Sequence, residues 1–277
     1  MIEENNESAG HSSMEKANDG SSMLTFGGHL EALRCMLFRI IGVTGAIAIV
    51  VFCMKDTTWQ LLLAPSEWDF VTYRVIEDII RSVGFSDFCF EEYHVELIAT
   101  DLSSQFMTHI TTAFYLGLLG ASPYILYELF RFVSPALYEN ERRYSVQAVV
   151  VIYVLFLFGV LMSYYMLFPV SFRFLGTYSV SERVHSTITL DSYVTSFTTL
   201  TLLMGVVFQL PVVAFLLAKM GMITSVLLSA YRKHAFLLIM VVAAVITPPD
   251  LMTLVLVTVP LYLLYEVSIR VVRLVEA

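Results

Sequence analysis

Charged residues are scarce in this 277-residue sequence: Asp, Glu, Lys and Arg make up 14% of it, whereas 57% is hydrophobic. A soluble globular protein typically carries roughly 25% charged residues, and a soluble fold of this size needs them to cover its surface. The composition therefore excludes a soluble enzyme and a disordered chain, and it predicts a polytopic membrane protein. The formal net charge of −8 argues against nucleic acid as the main partner.

Cysteine and catalytic signatures are scarce as well. Cys35, Cys53 and Cys89 are too few and too scattered for a disulfide framework or a zinc cluster. Cys53 and Cys89 could lie on the same side of a membrane, but unpaired thiols are the simpler interpretation. The sequence contains no H-E-x-x-H, no G-x-S-x-G and no Gly-rich phosphate loop. We therefore predict no metal, no cofactor and no enzymatic activity; His109 is interpreted as an interfacial or hydrogen-bonding residue.

Six apolar stretches, separated by charged residues, predict membrane-spanning helices. They cover residues 40–54, 106–127, 146–168, 194–218, 235–247 and 251–269. The first is long enough if it extends back to Met36, with Arg39 reaching to the interface. The fifth holds only 13 residues between His234 and Pro248, about 20 Å of helix. The last two form either a re-entrant hairpin or two short spans that thin the bilayer, and we expect two short spans.

Basic residues predict the orientation, because cytoplasmic segments carry an excess of Lys and Arg. With the N-terminus inside, 11 basic residues fall on cytoplasmic segments and 5 on outside segments. The inside set is Lys16, Arg34, Arg39, Arg131, Arg142, Arg143, Lys219, Arg232, Lys233, Arg270 and Arg273. The outside set is Lys55, Arg74, Arg81, Arg173 and Arg183. Both termini are therefore predicted to be cytoplasmic.

The remaining segments complete the predicted organisation. Residues 1–22 are polar and almost without apolar residues, which is typical of a disordered tail and unlike a secretory signal or a transit peptide. Residues 23–270 form the membrane domain, and residues 271–277 a short cytoplasmic tail. The first outside loop, residues 55–105, carries ten acidic and three basic residues, a pattern usual for a solvated surface.

That outside loop contains an amphipathic pattern. Its apolar residues recur at helical spacing and are Val75, Ile76, Ile79, Ile80 and Val83. The charged residues opposite them are Arg74, Glu77, Asp78 and Arg81. The pattern predicts a helix that lies on the outer membrane surface or caps the bundle.

Polar residues inside the predicted spans are candidate functional groups, because their burial in lipid is costly. Gln209 lies in the fourth span and Glu266 in the sixth, and for each of them a functional role and a packing role are equally open. Glu128 ends the second span three residues before Arg131, a spacing that favours a local ion pair. The prolines within the predicted spans, which bend helices, are Pro123, Pro211 and Pro260.

Several short motifs, taken together and in order, resemble those of the TatC family, the core subunit of the twin-arginine protein translocase. The longest covers residues 134–143, Ser-Pro-Ala-Leu-Tyr-Glu-Asn-Glu-Arg-Arg. The others are His29-Leu30 with Leu33-Arg34, Ala64-Pro65, Ala99-Thr100-Asp101, Phe168-Pro169, Gly205-Val-Val-Phe-Gln209-Leu-Pro211 and Thr247-Pro248-Pro249-Asp250. Together they cover about residues 26–270, and their combination is specific although each string alone is weak.

The resemblance implies an all-α fold: a cupped bundle of six transmembrane helices with both termini cytoplasmic and the last two spans short. It implies a non-enzymatic receptor for signal peptides that bear two adjacent arginines. Their folded passengers would cross the membrane with TatA-type and TatB-type single-span partners, driven by the proton-motive force. The resemblance also implies contact with lipid and self-association in a larger complex. The absence of a transit-like segment favours a bacterial inner membrane over an organellar one.

The resemblance also assigns candidate site residues. Glu141 matches the family's acidic residue in the first cytoplasmic loop, and Phe132 matches an aromatic residue beside it; carboxylates hold guanidinium groups through charge-assisted hydrogen bonds. The signal-binding set is Glu141, Phe132, Glu31, Arg34, Arg142 and Arg143. The set for partner contact or intramembrane polarity is Gln209, Thr247, Asp250 and Glu266. The structural set is Pro65, Pro135 and Asp101.

Two positions depart from the family pattern. The family usually reads H-L-x-E-L-R before the first span, whereas this chain has Glu31 one residue early and Ala32 in the family's position. One residue is about 100° of helix rotation, so either Glu31 still reaches the signal peptide or Glu141 carries more of the binding. Many relatives have a glutamate where this chain has Gln209, and an amide cannot titrate, which puts a proton-relay role in doubt.

Two other functional classes are weighed against the receptor. The first is a secondary transporter of a small solute with Gln209 and Glu266 near the midplane. Transporter halves often show internal repeats, and none is seen here. The second is an intramembrane hydrolase, for which no nucleophile–base pair is visible. The sequence therefore favours the signal-receptor function.

Overall fold

The computed structural model describes residues 26–82, 96–133, 142–179, 181, 187–247 and 250–276. Within them, the chain is almost entirely helical. The elements are α1 (Phe26–Cys53), α2 (Lys55–Leu63), α3 (Val71–Ser82), β1 (Leu97–Ile98), α4 (Ser104–Val133), α5 (Arg142–Met162), α6 (Phe168–Thr177), β2 (Ile188–Thr189), α7 (Leu190–Val207), α8 (Leu210–Lys219), α9 (Ser225–Ala230), α10 (Arg232–Ile246) and α11 (Leu251–Glu276). A 3₁₀ turn, Ala64–Ser66, follows α2, and a π-helical turn, Ser163–Leu167, joins α5 to α6. The predicted tail, residues 1–22, lies outside the described residues.

Five helical stretches are long and apolar enough to cross a membrane. They are Leu30–Cys53, Ser104–Phe132, Val149–Thr177, Leu190–Lys219 and Leu251–Glu276. The first four predicted spans and the sixth are thereby confirmed as apolar helices. The fifth predicted span corresponds to α10, whose 15 residues rise about 22 Å. It is short, as predicted, and the count of six crossings stays a prediction.

The prediction that both last spans are short is wrong for α11. This helix has 26 residues and continues to Glu276, because no glycine or proline follows Ile269 to end it. The boundary predicted at residue 270 between membrane domain and tail therefore falls inside a helix. The last turn is held by Glu276, whose carboxylate accepts hydrogen bonds from the backbone N–H of Ser225, at 2.8 Å, and from its hydroxyl.

Two of the spans are interrupted helices. The third changes from α-helical to π-helical geometry at Ser163–Leu167 before α6 begins. The fourth is broken between α7 and α8, where Pro211 occupies the first turn of α8; a proline is tolerated there because its position needs no N–H donor. Pro123 and Pro260, in contrast, lie inside continuous helices.

Helices α1 and α4 pack closely along their length. A Cβ placed on Gly117 would lie 2.7 Å from the Cβ of Ala48, so only glycine permits this approach. Farther along the pair, the ring of Phe52 stacks on that of His109 with centroids 4.3 Å apart. These contacts run in opposite directions along the two helices, which makes them antiparallel neighbours.

The main core surrounds α7. Its buried residues Tyr193, Phe197, Leu200 and Met204 form one cluster with buried residues of α6, α10 and α11. Phe168 of α6 meets Tyr193 and Phe197 edge-on, with centroids 5.1 and 5.0 Å apart. Aromatic pairs prefer this arrangement, so the α6–α7 contact is specific as well as apolar.

The described parts of the predicted outside loop form α2, the 3₁₀ turn, α3 and β1 at one end of the bundle, and β1 pairs in parallel with β2 from the segment before α7. Together these elements are called the outer cap below. Tyr193 donates its buried hydroxyl proton to the carbonyl of Leu62 at 2.8 Å, and Tyr73 donates to that of Pro169 at 2.8 Å. The predicted amphipathic helix is confirmed as α3. Tyr73 anchors α3 to the bundle, whereas Val75 and Ile79 of its apolar stripe are 50% and 57% exposed. The helix thus caps the bundle at Tyr73 and leaves its apolar stripe free to lie on the membrane surface.

Candidate functional site

The bundle end opposite the outer cap, predicted to be cytoplasmic, is organised around a buried carboxylate. Glu128 of α4 lies 3.6 Å from the Arg39 guanidinium of α1 and 4.0 Å from that of Arg131. Tyr124 also donates a hydrogen bond to it at 3.0 Å. The predicted local pair with Arg131 is confirmed. The closer contact, between Arg39 and Glu128, joins α1 to α4. Arg39 therefore pairs with a buried carboxylate as well as reaching the interface.

The signal-binding candidates lie beyond this carboxylate. Glu31 and Arg34 are exposed on the first turns of α1, and the Arg34 guanidinium lies over the Phe38 ring at 5.7 Å. Phe132 is half-buried one turn beyond Glu128 in α4. Because α1 and α4 are antiparallel, the start of α1 and the end of α4 project from the same end of the bundle. The structure thus places Glu31, Arg34 and Phe132 at the same end of the bundle.

The other predicted members of that site connect α4 to α5. Arg142 and Arg143 are the first residues of α5, although their side chains are outside the described part of the chain. Glu141 and Pro135 are outside it as well. Only residues 134–141 separate the end of α4 from the start of α5, so Glu141 is tied in sequence to the same end.

Gln209 lies at the break between α7 and α8. Its Nε2 donates a hydrogen bond to the backbone carbonyl of Ile152 in α5 at 3.1 Å. Its Oε1 is buried and has no hydrogen-bond partner among the described residues. Of the two roles left open by the sequence, the contact supports packing, since the amide joins α5 to the broken span.

Glu266 is paired rather than isolated. Its Oε1 lies 2.9 Å from Nε of Arg232 and its Oε2 3.0 Å from Nη2 of the same guanidinium. Since Arg232 is the first residue of α10, Glu266 lies level with the start of that helix. This position disfavours the transporter alternative, in which Glu266 would stand near the midplane.

Thr247 and Asp250 lie at the turn between α10 and α11. The buried hydroxyl of Thr247 donates to the carbonyl of Ala243 at 2.9 Å. Asp250 precedes α11, where Oδ1 accepts the N–H of Thr253 at 2.6 Å as an N-terminal cap. Within the described chain, Asp250 Oδ2 and Thr253 Oγ1 are buried and lack partners.

The two described residues of the structural set, Pro65 and Asp101, differ in burial. Pro65 is buried in the 3₁₀ turn of the outer cap. Asp101 is exposed, and its backbone carbonyl accepts the N–H of Ser104 at the start of α4, at 3.1 Å. Among the described residues, no group of His, Cys, Asp and Glu is arranged to hold a metal ion.

Sequence reasoning missed the partners of the intramembrane acids, Arg39 for Glu128 and Arg232 for Glu266. Both arginines were counted among the basic residues of the cytoplasmic segments, and Arg39 was expected only to reach the interface. A buried carboxylate needs a compensating charge, and this signal could have suggested a pairing. It could not have selected which arginine provides it.

Comparison with known proteins gives consistent matches. The family model for the Sec-independent protein translocase protein (TatC) matches residues 28–260. The TatC protein of Blattabacterium sp. subsp. Periplaneta americana (strain BPLAN) is 31% identical over 251 residues, which cover 90% of this chain and 94% of that protein. The TatCy protein of Bacillus subtilis (strain 168) is 39% identical over 181 residues, covering 65% of this chain and 71% of that protein.

A solved structure matches over the same region. The crystal structure of the twin arginine translocase receptor TatC superposes with a TM-score of 0.71 at 29% sequence identity. The match covers 90% of this chain and 100% of that chain. The helix arrangement described above is therefore similar to that of the receptor.

Proposed function

The chain belongs to the TatC family of Sec-independent protein translocase proteins, and from this membership we propose that it binds twin-arginine signal peptides at its cytoplasmic face. Members of the family are components of a protein translocase, so the proposed role of this chain is transport rather than catalysis. Its apolar helices make the chain a multi-pass membrane protein. The bacterial inner membrane is its proposed location.

The observation that carries the proposal is the face formed by the start of α1 and the end of α4. Glu31 lies eight residues before Arg39, about 12 Å along α1, and Phe132 lies one turn after Glu128. The Arg39–Glu128 contact at 3.6 Å fixes these two ends side by side. A peptide that meets this face contacts an exposed carboxylate and an aromatic ring together.

Two carboxylates suit the ligand. A guanidinium binds a carboxylate through charge-assisted, often bidentate hydrogen bonds, and two adjacent arginines need two such acceptors. We assign them to Glu141 and Glu31. The apolar part of the signal peptide would then lie along the exposed apolar residues of α1, which include Leu30, Leu33 and Leu37.

Binding of a signal peptide to single mutants tests the proposal. Glu141→Ala should abolish binding, because loss of one member of a charge pair commonly costs about 2–5 kcal/mol where the pair is desolvated. Glu31→Ala should weaken binding about as much, and adding Ala32→Glu should partly restore it. The measurement is site-specific crosslinking of a twin-arginine peptide, or its affinity, with membrane-embedded protein.

A matched control separates this site from a general effect of charge. Glu67→Ala removes an exposed carboxylate from the outer cap, and it should leave binding unchanged. Full binding by Glu31→Ala would refute the shared-carboxylate assignment. Unchanged export of a folded twin-arginine passenger after deletion of the gene, in a host with no second copy, would refute the receptor function itself.

We further propose that TatA-type or TatB-type single-span helices contact the turn between α10 and α11. Asp250 Oδ2 and Thr253 Oγ1, buried and without partners among the described residues, support this assignment, since polar groups near a helix end can bond to another helix. A photocrosslinker at Val245, 79% exposed on α10, should capture a single-span protein. The same probe at Val150 of α5 should capture lipid, and lipid alone at Val245 would contradict the proposal.

A further inference from the structure

A cavity of about 440 Å³ lies where the first turns of α2, α4 and α7 meet. Its polar lining consists of Lys55, Trp59, Gln105 and His109. It belongs to the outer-cap end of the bundle, far from the face proposed for signal peptides. Nothing in the proposed function uses it.

Every polar side chain of this lining can donate a hydrogen bond. Lys55 and Trp59 have donors only, and Gln105 and His109 have at least one donor each. No carboxylate lines the cavity among the described residues, and Asp56, adjacent to Lys55 in the chain, is exposed and lies outside the lining. The cavity therefore suits an anion.

His109 provides a second, independent observation. Its ring stacks on Phe52, with centroids 4.3 Å apart and planes 14° apart, which fixes its orientation. Its Nε2 is buried without a hydrogen-bond partner in the described part of the chain. A buried polar atom without a partner is costly, and His109 lines the cavity, so a hydrogen-bond partner for this imidazole would be stabilising.

The wall of the cavity continues into lipid-facing surface. Phe106 lines the cavity, and Phe106, Ile110 and Phe114 follow one another at four-residue spacing on α4. Their side chains are 58%, 43% and 55% exposed. Such a stripe at the surface of a spanning helix suits an acyl chain, and Trp59 beside it is a residue type enriched at membrane interfaces.

We propose that this cavity binds the phosphodiester headgroup of an anionic glycerophospholipid in the outer leaflet, with the acyl chain along the Phe106–Phe114 stripe. Lys55 supplies the positive charge, and His109 and Gln105 donate hydrogen bonds to phosphate oxygens. Basic pockets near the membrane surface hold anionic lipid headgroups in this way. The free anion shares this chemistry but has no use for the apolar stripe.

The two tryptophans of the sequence make the test direct. Trp68→Phe leaves Trp59 as the only reporter, in the cavity wall. The protein is placed in nanodiscs of phosphatidylcholine that contain phosphatidylglycerol brominated on the acyl chain near the headgroup. Trp59 quenching should show about fivefold tighter association than with brominated phosphatidylcholine at equal mole fraction.

Variants locate the effect. Lys55→Gln should abolish the preference for phosphatidylglycerol, and His109→Phe, which keeps a ring on Phe52, should reduce it. Lys233→Gln removes an exposed charge at the opposite end of the bundle and should leave the preference for phosphatidylglycerol unchanged. Equal quenching by the two lipids would overturn the proposal, as would recovery of fluorescence on addition of millimolar inorganic phosphate, which would indicate a site for the free anion.

Discussion

Arg232 and Glu266 form a two-point ion pair between α10 and α11, with Nε–Oε1 at 2.9 Å and Nη2–Oε2 at 3.0 Å. This fork-to-fork arrangement is the most directional one available to the two groups. Tyr262 adds a hydrogen bond to Oε1 at 3.3 Å. Since α10 is the shortest of the predicted spans, the pair fastens its first turn to a helix that is long enough to cross the membrane.

Loss of either partner of this pair should lower stability. Glu266→Ala and Arg232→Ala are each expected to cost about 1 kcal/mol, because a charge-assisted bond is worth more than a neutral one but both groups are partly exposed. The exchange Arg232→Glu with Glu266→Arg should recover part of the loss. The measurement is thermal unfolding in detergent, and Arg270→Ala, an exposed basic residue on α11, is the control. Equal losses in all variants would contradict a specific pair.

Gly117 should be intolerant of a larger residue. Gly117→Ala would place a Cβ 2.7 Å from the Cβ and 2.9 Å from the backbone nitrogen of Ala48, which forces α1 and α4 apart at a cost of about 1–3 kcal/mol. Ala48→Gly should relieve only part of this, because the backbone contact remains. Gly45→Ala on α1, where nothing lies within 4 Å, should be neutral. Unfolding midpoints measure all three, and an unaffected Gly117→Ala would refute the close approach.

Gln209 should matter for packing more than for proton movement. Gln209→Leu removes the bond to the Ile152 carbonyl at 3.1 Å, and an interhelical bond in membranes is worth about 0.6 kcal/mol on average. We expect a small loss of stability with transport retained. Export of a twin-arginine passenger by the variant provides the measurement. Loss of export with unchanged stability would instead assign Gln209 a functional role.

The start of α3 should depend on pH through Asp69. A hydrogen bond from the Arg74 guanidinium lowers the pKa of the Asp69 carboxyl below its ordinary value. A depressed pKa stabilises the folded state above the unfolded pKa, and the contribution is lost as the pH falls through the folded pKa. In a Trp59→Phe background, Trp68 fluorescence should therefore change below about pH 4.

The same titration in Asp69→Asn provides the control for that pH dependence. This variant cannot ionise at residue 69, so its fluorescence should stay flat over the interval in which the parent protein changes. Arg74→Gln should move the transition to higher pH, since it removes the group that lowers the pKa. An identical transition in Asp69→Asn would assign the effect to another acid.

Cysteine labelling should establish the orientation. Cys35 is exposed on α1, near the end predicted to be cytoplasmic, and Cys89 belongs to the predicted outside loop. In intact cells that express single-cysteine variants of the protein, an impermeant thiol reagent should modify Cys89 and leave Cys35 unmodified. Labelling of Cys35 from outside would reverse the orientation predicted from the basic residues.

Much of the fold could be predicted because its signals are local. Apolar runs determine where helices lie, since each run must meet lipid or protein along its length. The helical spacing of apolar residues around Val75 and Ile79 is also a local signal, and it predicted α3 as a helix with one apolar stripe. The motif order likewise identified the family. Glu31, Arg34 and Phe132 lie at the same end of the bundle, and their role in signal binding stays a prediction.

The pairings were decided only by the tertiary structure. The sequence predicted the Glu128–Arg131 contact, which lies within one helix, and missed Arg39, which lies on another helix and is closer to Glu128. It located Gln209 and Glu266 without finding their partners, Ile152 and Arg232. The faces at which two helices meet depend on close packing, such as that of Gly117 against Ala48. That packing results from many contacts between residues distant in sequence. Helix positions are a property of each segment, whereas ion pairs and cavities are properties of the assembled bundle.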